Sequence, residues 1–319
     1  MGLNRDIVDA IFREHAFRPI EGEVLLIGRQ TIYMTPAEVL DMMHEHRLKP
    51  QRPFDEDTMI NKSTVNRRAD AEGLSLISDV GLFQLLGARR VRALDHSDYE
   101  GAEVIHDLTK PVPEKLIGIA DFIVDGSTLD NVFDPVSAIR NFAKLLRPRG
   151  RIIMINMLSN HNEPYTLLTP LWYLDYFVIN RFVDCKVYIC VFLDKSINYF
   201  CVNIDDVMNP ERGVSNFVSP HGMGVIVIAE KGNDSTSERL PAQGHYRSPE
   251  EWIEYRESLK RIKESRRPQV VRSTGELGYF YIRRGHLFVN ENYEAVDVSG
   301  EMRRLGVDPR PGVDPKLPD

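Results

Sequence analysis

Nothing in this sequence is apolar for long enough to cross a bilayer. The most hydrophobic runs, VYICVFL (187–193) and GVIVIA (224–229), have the length of strands. Cysteine is scarce. The three present, Cys185, Cys190 and Cys201, lie in or beside apolar strands without metal-type spacing, which reads as reduced core thiols. Positive charge is in deficit, with 40 Lys and Arg against 47 Asp and Glu and a net charge of -7, which argues against nucleic acid as the primary partner. The opening stretch GLNRDIVDAIFREHAF is charged and amphipathic rather than continuously apolar, so the expectation is a cytoplasmic protein with no membrane partner. Absent too is a GxGxxG loop after the first strand. EVLLIGRQTIY offers only Gly28, which counts against a nicotinamide-dependent oxidoreductase. No internal repeat is present.

What is there is an alternation of short apolar strands and amphipathic helices. A helix is predicted over Arg5 to His15, and a strand over Glu23 to Gly28. Thr35, Pro36 and Glu38 form a capping-box start for a helix reaching about His46. The polar, proline-containing stretch from Lys49 to Ala71 reads as a long loop, and a helix over Ser78 to Ala88 ends at Gly87. Three strands follow: RVRALD ending at Asp95, GAEVIHDL ending near Asp107, and ADFIVD ending at Asp125. A helix from about Pro135 to Leu146 places Val136, Ile139, Phe142, Ala143 and Leu146 on one face. The RPRG turn leads into the strand RIIMIN. Such alternation predicts a doubly wound, mostly parallel α/β sheet.

Beyond Asn156 the pattern changes to an aromatic, predicted-helical stretch (Tyr165 to Asn180) and three later strands that pair antiparallel at one edge. From residue 233 the composition turns polar. SPEEWIEYRESLKRIKESRR, with Ser248, Pro249 and Glu251 as a second capping box, is a strong helix. The expected division is a Rossmann-like domain over 1–232, with an insertion over about 31–77, and a C-terminal helical or irregular extension over 233–319. That extension is a candidate contact for a homo-oligomer.

The ordered set of strand-Gly, strand-Asp, strand-Asp, strand-Asp, helix, RPRG and strand resembles the class I S-adenosylmethionine-dependent methyltransferases, over about Glu23 to Lys231. VSAIRNFAKLLRPRGRIIM is similar to that family's helix, Pro-Gly-Gly turn and strand, and DGSTLDNVFD to its element after the fourth strand. The family's glycine-rich loop is reduced here to Gly28, its Glu-His to Asp130-Asn131, and the first glycine of its Pro-Gly-Gly turn to Arg149. The resemblance implies a seven-stranded sheet with an antiparallel edge strand and S-adenosylmethionine as cofactor. It implies methyl transfer to a small-molecule acceptor of glycan or secondary-metabolite type. A catalytically inactive scaffold or partner subunit is the alternative.

Carried over residue by residue, the resemblance makes Asp95 the acceptor for the cofactor's ribose hydroxyls, with His96 beside it. Asp107 and Leu108 fall at the adenine. Gly28, Arg29 and Gln30 fall at the amino-acid end, where Arg29 suits its carboxylate and Gln30 its ammonium. Asp125 and Gly126 face the sulfonium. After the fifth strand, Asn160, Tyr165, Trp172 and Tyr173 are candidates for lining the acceptor pocket, and His161 is the candidate base. Asp130 is expected to cap or orient the following helix. The acidic loop with Asp98, Glu100 and Glu103 reads as solvated. His44 and His46, two apart on a helix, do not make a metal pair.

Overall fold

The computed structural model describes residues 2–61, 75–98, 100–159, 164–192, 197–201, 216–218, 222–264, 280–283 and 286–288. Its centre is an eight-stranded sheet: β2 (Gly22–Ile27), β4 (Ala88–Asp95), β5 (Val104–Ile105), β6 (Ala120–Gly126), β7 (Leu146–Ser159), β8 (Asp184–Phe192), β9 (Ile197–Cys201) and β11 (Met223–Glu230), in the order β5-β4-β2-β6-β7-β11-β8-β9. β5 through β7 are mutually parallel. β11 runs antiparallel between β7 and β8, and β9 adds an antiparallel outer strand to the expected seven. Two small sheets stand apart: β1 (Gly2–Leu3) with β3 (Thr31–Ile32), and β10 (Asn216–Val218) with β12 (Phe280–Arg283) and β13 (His286–Phe288).

The central strands carry apolar residues on both faces because both faces are covered, as a parallel sheet requires. Val24 and Leu26 of β2 join one core cluster, Leu25 and Ile27 the other, following the two-residue period of a strand. The first face is covered by α1 (Arg5–Phe17), α2 (Pro36–Glu45) and α4 (Asp79–Leu86), with a short helix α3 (Glu56–Met59) inside the stretch expected to be loop. The second face is covered by α5 (Pro135–Leu145), α6 (Pro170–Ile179) and α7 (Pro249–Lys263).

The caps behave as their chemistry demands. The Thr35 hydroxyl accepts from the Glu38 N–H while the Glu38 carboxylate accepts from the Thr35 N–H, and Ser248 and Glu251 repeat the arrangement. Gly87 closes α4 in the left-handed region at φ 106°. α7, expected within the extension from 233, inserts Tyr255, Leu259 and Ile262 into the second core cluster. The extension is therefore continuous with the sheet's core as far as Ile262.

Two expectations change. GAEVIHDL shortens to the two paired residues of β5. RPRG does not precede its strand but bulges out within β7, where Ala120 pairs with Leu146 and Phe122 with Arg151. Among the described residues, no helix is long and apolar enough to cross a membrane.

Candidate functional site

After β2 the chain builds outward on one side through β4 and β5, then returns to the other side of β2 for β6 and β7. This reversal leaves a crevice at the carboxyl ends of β2, β4 and β6, the place where open α/β sheets bind ligands. Gly28, directly after β2, has φ 71° and donates its N–H to the Leu94 carbonyl at 2.8 Å. A methyl group added there would meet Asp95 Oδ2 at 3.5 Å and Thr128 Oγ1 at 3.8 Å, so the face of Gly28 is open between those two oxygens. Asp95 ends β4 half-buried. Its Oδ1 accepts the His96 N–H at 2.6 Å, and His96 itself is exposed.

Gln30 closes the crevice floor. Its N–H donates to the buried Asp79 carboxylate at 3.0 Å, and its Nε2 donates to the carbonyls of Ile27 (3.0 Å) and Gly28 (3.3 Å). Its Oε1 is buried without a hydrogen-bond partner. That oxygen lies against Gly126, where a side chain would overlap the carboxamide. Arg29, expected at a ligand's carboxylate, is engaged within the protein: it pairs with Glu103 at 2.6 Å and donates to the Gly101 carbonyl at 3.1 Å. Glu103 is accordingly more than a solvated acid, since its other oxygen accepts the Ala93 N–H of β4 at 2.7 Å.

Asp107 holds an Asx turn. Its Oδ1 accepts from the Thr109 hydroxyl (2.7 Å) and N–H (2.9 Å), and these bonds keep its pKa below the ordinary carboxylate value. Leu108 is buried, and its carbonyl accepts from Asn141 of α5 at 2.8 Å. Asn141 thereby fixes the loop after β5.

At the ends of β6 and β7 lies a fully buried polar network that the sequence did not disclose. Asp125 accepts the Thr128 N–H at 2.8 Å and the Asn156 amide at 3.3 Å. Asp130 accepts the Ser127 hydroxyl on both oxygens (2.8 and 2.9 Å) and the Met157 N–H at 2.8 Å. Burial pushes both carboxyls up, Asp125 to about 7 with the neighbouring Asp130 charge adding to the rise. The Tyr173 hydroxyl is buried beside this network without a hydrogen bond of good geometry, and burial followed by the two carboxylates raises its pKa well above the ordinary phenol value. Asp130 does not cap α5. It ties the turn after β6 to β7, and the cap is Asp134, which accepts the Ser137 N–H at 3.0 Å. Ser127 is held at φ 70°, a costly region for a residue with a side chain.

Asn160 and His161 lie outside the described residues. Tyr165 is 71% exposed and makes an edge contact with the 84% exposed Phe133 at 5.8 Å. Trp172 packs half-buried against the second core cluster and edge-on to Tyr173 at 5.1 Å. Among the described residues, no group of three or more His, Cys, Asp or Glu is placed to hold a metal ion.

The donor set suits a cationic ligand carrying a diol. The Asp95 carboxylate stands beside the open face of Gly28, and the Gln30 oxygen is a buried acceptor in need of a donor, whereas Asp125 is fully buried behind them with its oxygens engaged by Thr128 and Asn156.

No family model matches the chain, and no curated protein matches it. Among solved structures it is similar to a putative methyltransferase from Bacillus halodurans, at 8% identity over 70% of this chain and 99% of that one, with a TM-score of 0.33. It is also similar to a Burkholderia thailandensis 1,6-didemethyltoxoflavin-N1-methyltransferase with bound S-adenosylhomocysteine (13%, 71% and 77%, TM-score 0.28) and to an S-adenosylmethionine-dependent methyltransferase from Aquifex aeolicus (12%, 69% and 88%, TM-score 0.30). Likeness at this level leaves the chemistry to the residues of the site.

Proposed function

We propose that this chain binds S-adenosylmethionine at the carboxyl ends of β2, β4 and β6 and transfers its methyl group to a small-molecule acceptor of glycan or secondary-metabolite type. The observation that carries the reading is the pairing of Asp95 Oδ2 with the open face of Gly28 at the point where the strand order reverses. A carboxylate at that point accepts two hydrogen bonds from a vicinal diol. When bound, the cofactor supplies an electrophilic methyl group on a sulfonium centre.

The chain's own residues then have distinct tasks. Asp95 orients the ribose, with His96 at the rim. Asp107 and the Leu108 backbone flank the adenine. Gln30 Oε1, lacking a partner in the fold, accepts from the ammonium group. Asp125 and Gly126 form the wall nearest the reacting centre. Catalysis of this kind is positional: the acceptor is held in line and a base takes its proton. His161 is the base in this reading, and Asn160, Tyr165 and Trp172 border the acceptor.

The scaffold reading draws on one feature. The Gln30 carboxamide sits against Gly126, and Arg29 is held by Glu103, so the amino-acid end of the crevice is partly filled from within. Thermal unfolding with S-adenosylmethionine or S-adenosylhomocysteine separates the two. Ligand at about a hundred times its dissociation constant adds roughly 2.7 kcal/mol of stability. The expected result is an upward shift that Asp95→Ala abolishes. No shift at millimolar ligand would favour the scaffold.

A further inference from the structure

At the opposite end of the sheet, a cleft of about 390 Å³ opens among the amino ends of β2, β6 and β7 and the segment after α1. Five arginines line it: Arg18, Arg89, Arg147, Arg149 and Arg151. Three are anchored. Arg151 is buried, donating to the Glu14 carboxylate and carbonyl and to the carbonyls of Arg18 and Pro19, with its guanidinium over the Phe122 ring. Arg147 bridges the Gly118 carbonyl and Asp121. Arg18 pairs with Glu230 at 3.0 Å and donates to the Arg149 carbonyl at 2.8 Å. These contacts fix three guanidinium groups in place before any ligand arrives.

The other two are less committed. Arg89 is largely exposed and lies 3.7 Å from Glu23, whose other oxygen is taken by Arg92. Arg149 is exposed and its side chain forms no ion pair among the described residues. Of the two lining carboxylates, Asp121 already accepts from the Glu23 N–H and Arg147, which leaves Glu21 at the rim.

Arg149 is also the residue whose backbone is least expected. It sits at φ 67°, a conformation that glycine adopts freely and an L side chain does not. The strain is pinned from both sides: its N–H donates to the Lys231 carbonyl at 2.7 Å and its carbonyl accepts from Arg18. A strained position that carries a cation into a cleft, where glycine would fold more easily, invites a functional explanation.

We propose that this cleft binds a small anion bearing phosphoryl groups, with Arg149 and Arg89 as its principal contacts, while the three anchored arginines, each paired with its own carboxylate, hold the shape of the wall. The planar guanidinium offers paired N–H donors that match two phosphoryl oxygens, and the cleft has the size of a small-ligand site. The site is independent of the crevice at the carboxyl ends and does not rest on the methyl-transfer reading.

The test is calorimetric titration with inorganic phosphate, inorganic pyrophosphate and adenosine diphosphate, at constant ionic strength held with chloride. Saturable binding, with pyrophosphate tighter than phosphate, is expected. Equal affinity for pyrophosphate and adenosine diphosphate identifies the phosphoryl group as the whole determinant; tighter adenosine diphosphate adds a nucleoside to it only where Arg149→Gly weakens that binding too, because the crevice at the carboxyl ends is the proposed seat of an adenosyl group. Arg149→Gly should weaken pyrophosphate by about tenfold or more while the unliganded variant melts no lower than the parent, because glycine relieves the strained backbone. Arg89→Ala, at an exposed position, is the second variant and should weaken binding in the same direction. Absence of saturable binding at millimolar pyrophosphate, or unchanged affinity in both variants, would overturn the proposal.

Discussion

Asp125→Asn should invert its effect on stability between acid and neutral pH. The Asp125 carboxyl is fully buried and titrates near 7 rather than its ordinary 3.8, chiefly because burial disfavours its charge and then because Asp130 is close by. That displacement is worth about 4 kcal/mol between its neutral and charged forms in the fold. The folded value lies above the unfolded one, so the stabilising contribution is complete below the unfolded value and is lost as pH rises towards 7, then stays flat. Asparagine at this position does not titrate. It puts a non-accepting amide nitrogen where either form of the carboxyl has an oxygen facing the Thr128 N–H or the Asn156 amide, so it loses about one hydrogen bond, worth roughly 1 kcal/mol at any pH. The variant should therefore be less stable than the parent by about 1 kcal/mol near the acid end of the range and more stable by up to about 3 kcal/mol once the parent carboxylate is charged. Urea unfolding followed by tryptophan fluorescence at a series of pH values reads the difference directly. A stability difference that does not change with pH, or that moves against the variant as pH rises, would refute the reasoning.

Three further outcomes follow from the packing. Tyr255→Ala, which empties a fully buried aromatic position on α7, should cost about 3–5 kcal/mol in urea unfolding, whereas a small cost would mean that α7 is only loosely attached. Gly126→Ala should push the Gln30 carboxamide out of place, lower stability by about 1–3 kcal/mol and remove any shift produced by S-adenosylhomocysteine. Thr35→Ala should cost about 1 kcal/mol through loss of the capping box of α2 without altering ligand binding, which a paired melt and titration would check.

Much of the fold was legible because its signals are local. The capping boxes at Thr35 and Ser248, the Gly87 stop and the apolar runs of β2, β4, β6 and β7 each fix an element through residues a few positions apart. What could not be read depends on distant partners. β5 is short because only Val104 and Ile105 find pairing partners on β4. Asp130 is expected at the helix start, and only the arrival of β7, with Asn156 and the Met157 N–H, assigns it to the buried network and leaves the cap to Asp134. Arg29 looked free for a ligand because Glu103 is 74 residues away in sequence. Likewise the polar stretch from residue 233 gave no sign that Tyr255, Leu259 and Ile262 would complete a core face. The candidate positions came from strand ends and from the family resemblance. Which of their atoms are engaged within the fold came from neither.

The most direct test of the methyltransferase reading is a double-mutant-style titration at the crevice. Binding of S-adenosylhomocysteine and of its analogue lacking the ribose 2′-hydroxyl is measured by calorimetry on the parent protein and on Asp95→Ala. If Asp95 holds the ribose, the parent should bind the analogue about tenfold or more weakly, Asp95→Ala should lose a similar factor for S-adenosylhomocysteine, and the two losses should not add. Equal binding of both ligands by the parent, independent losses, or no binding at millimolar concentration would contradict the account.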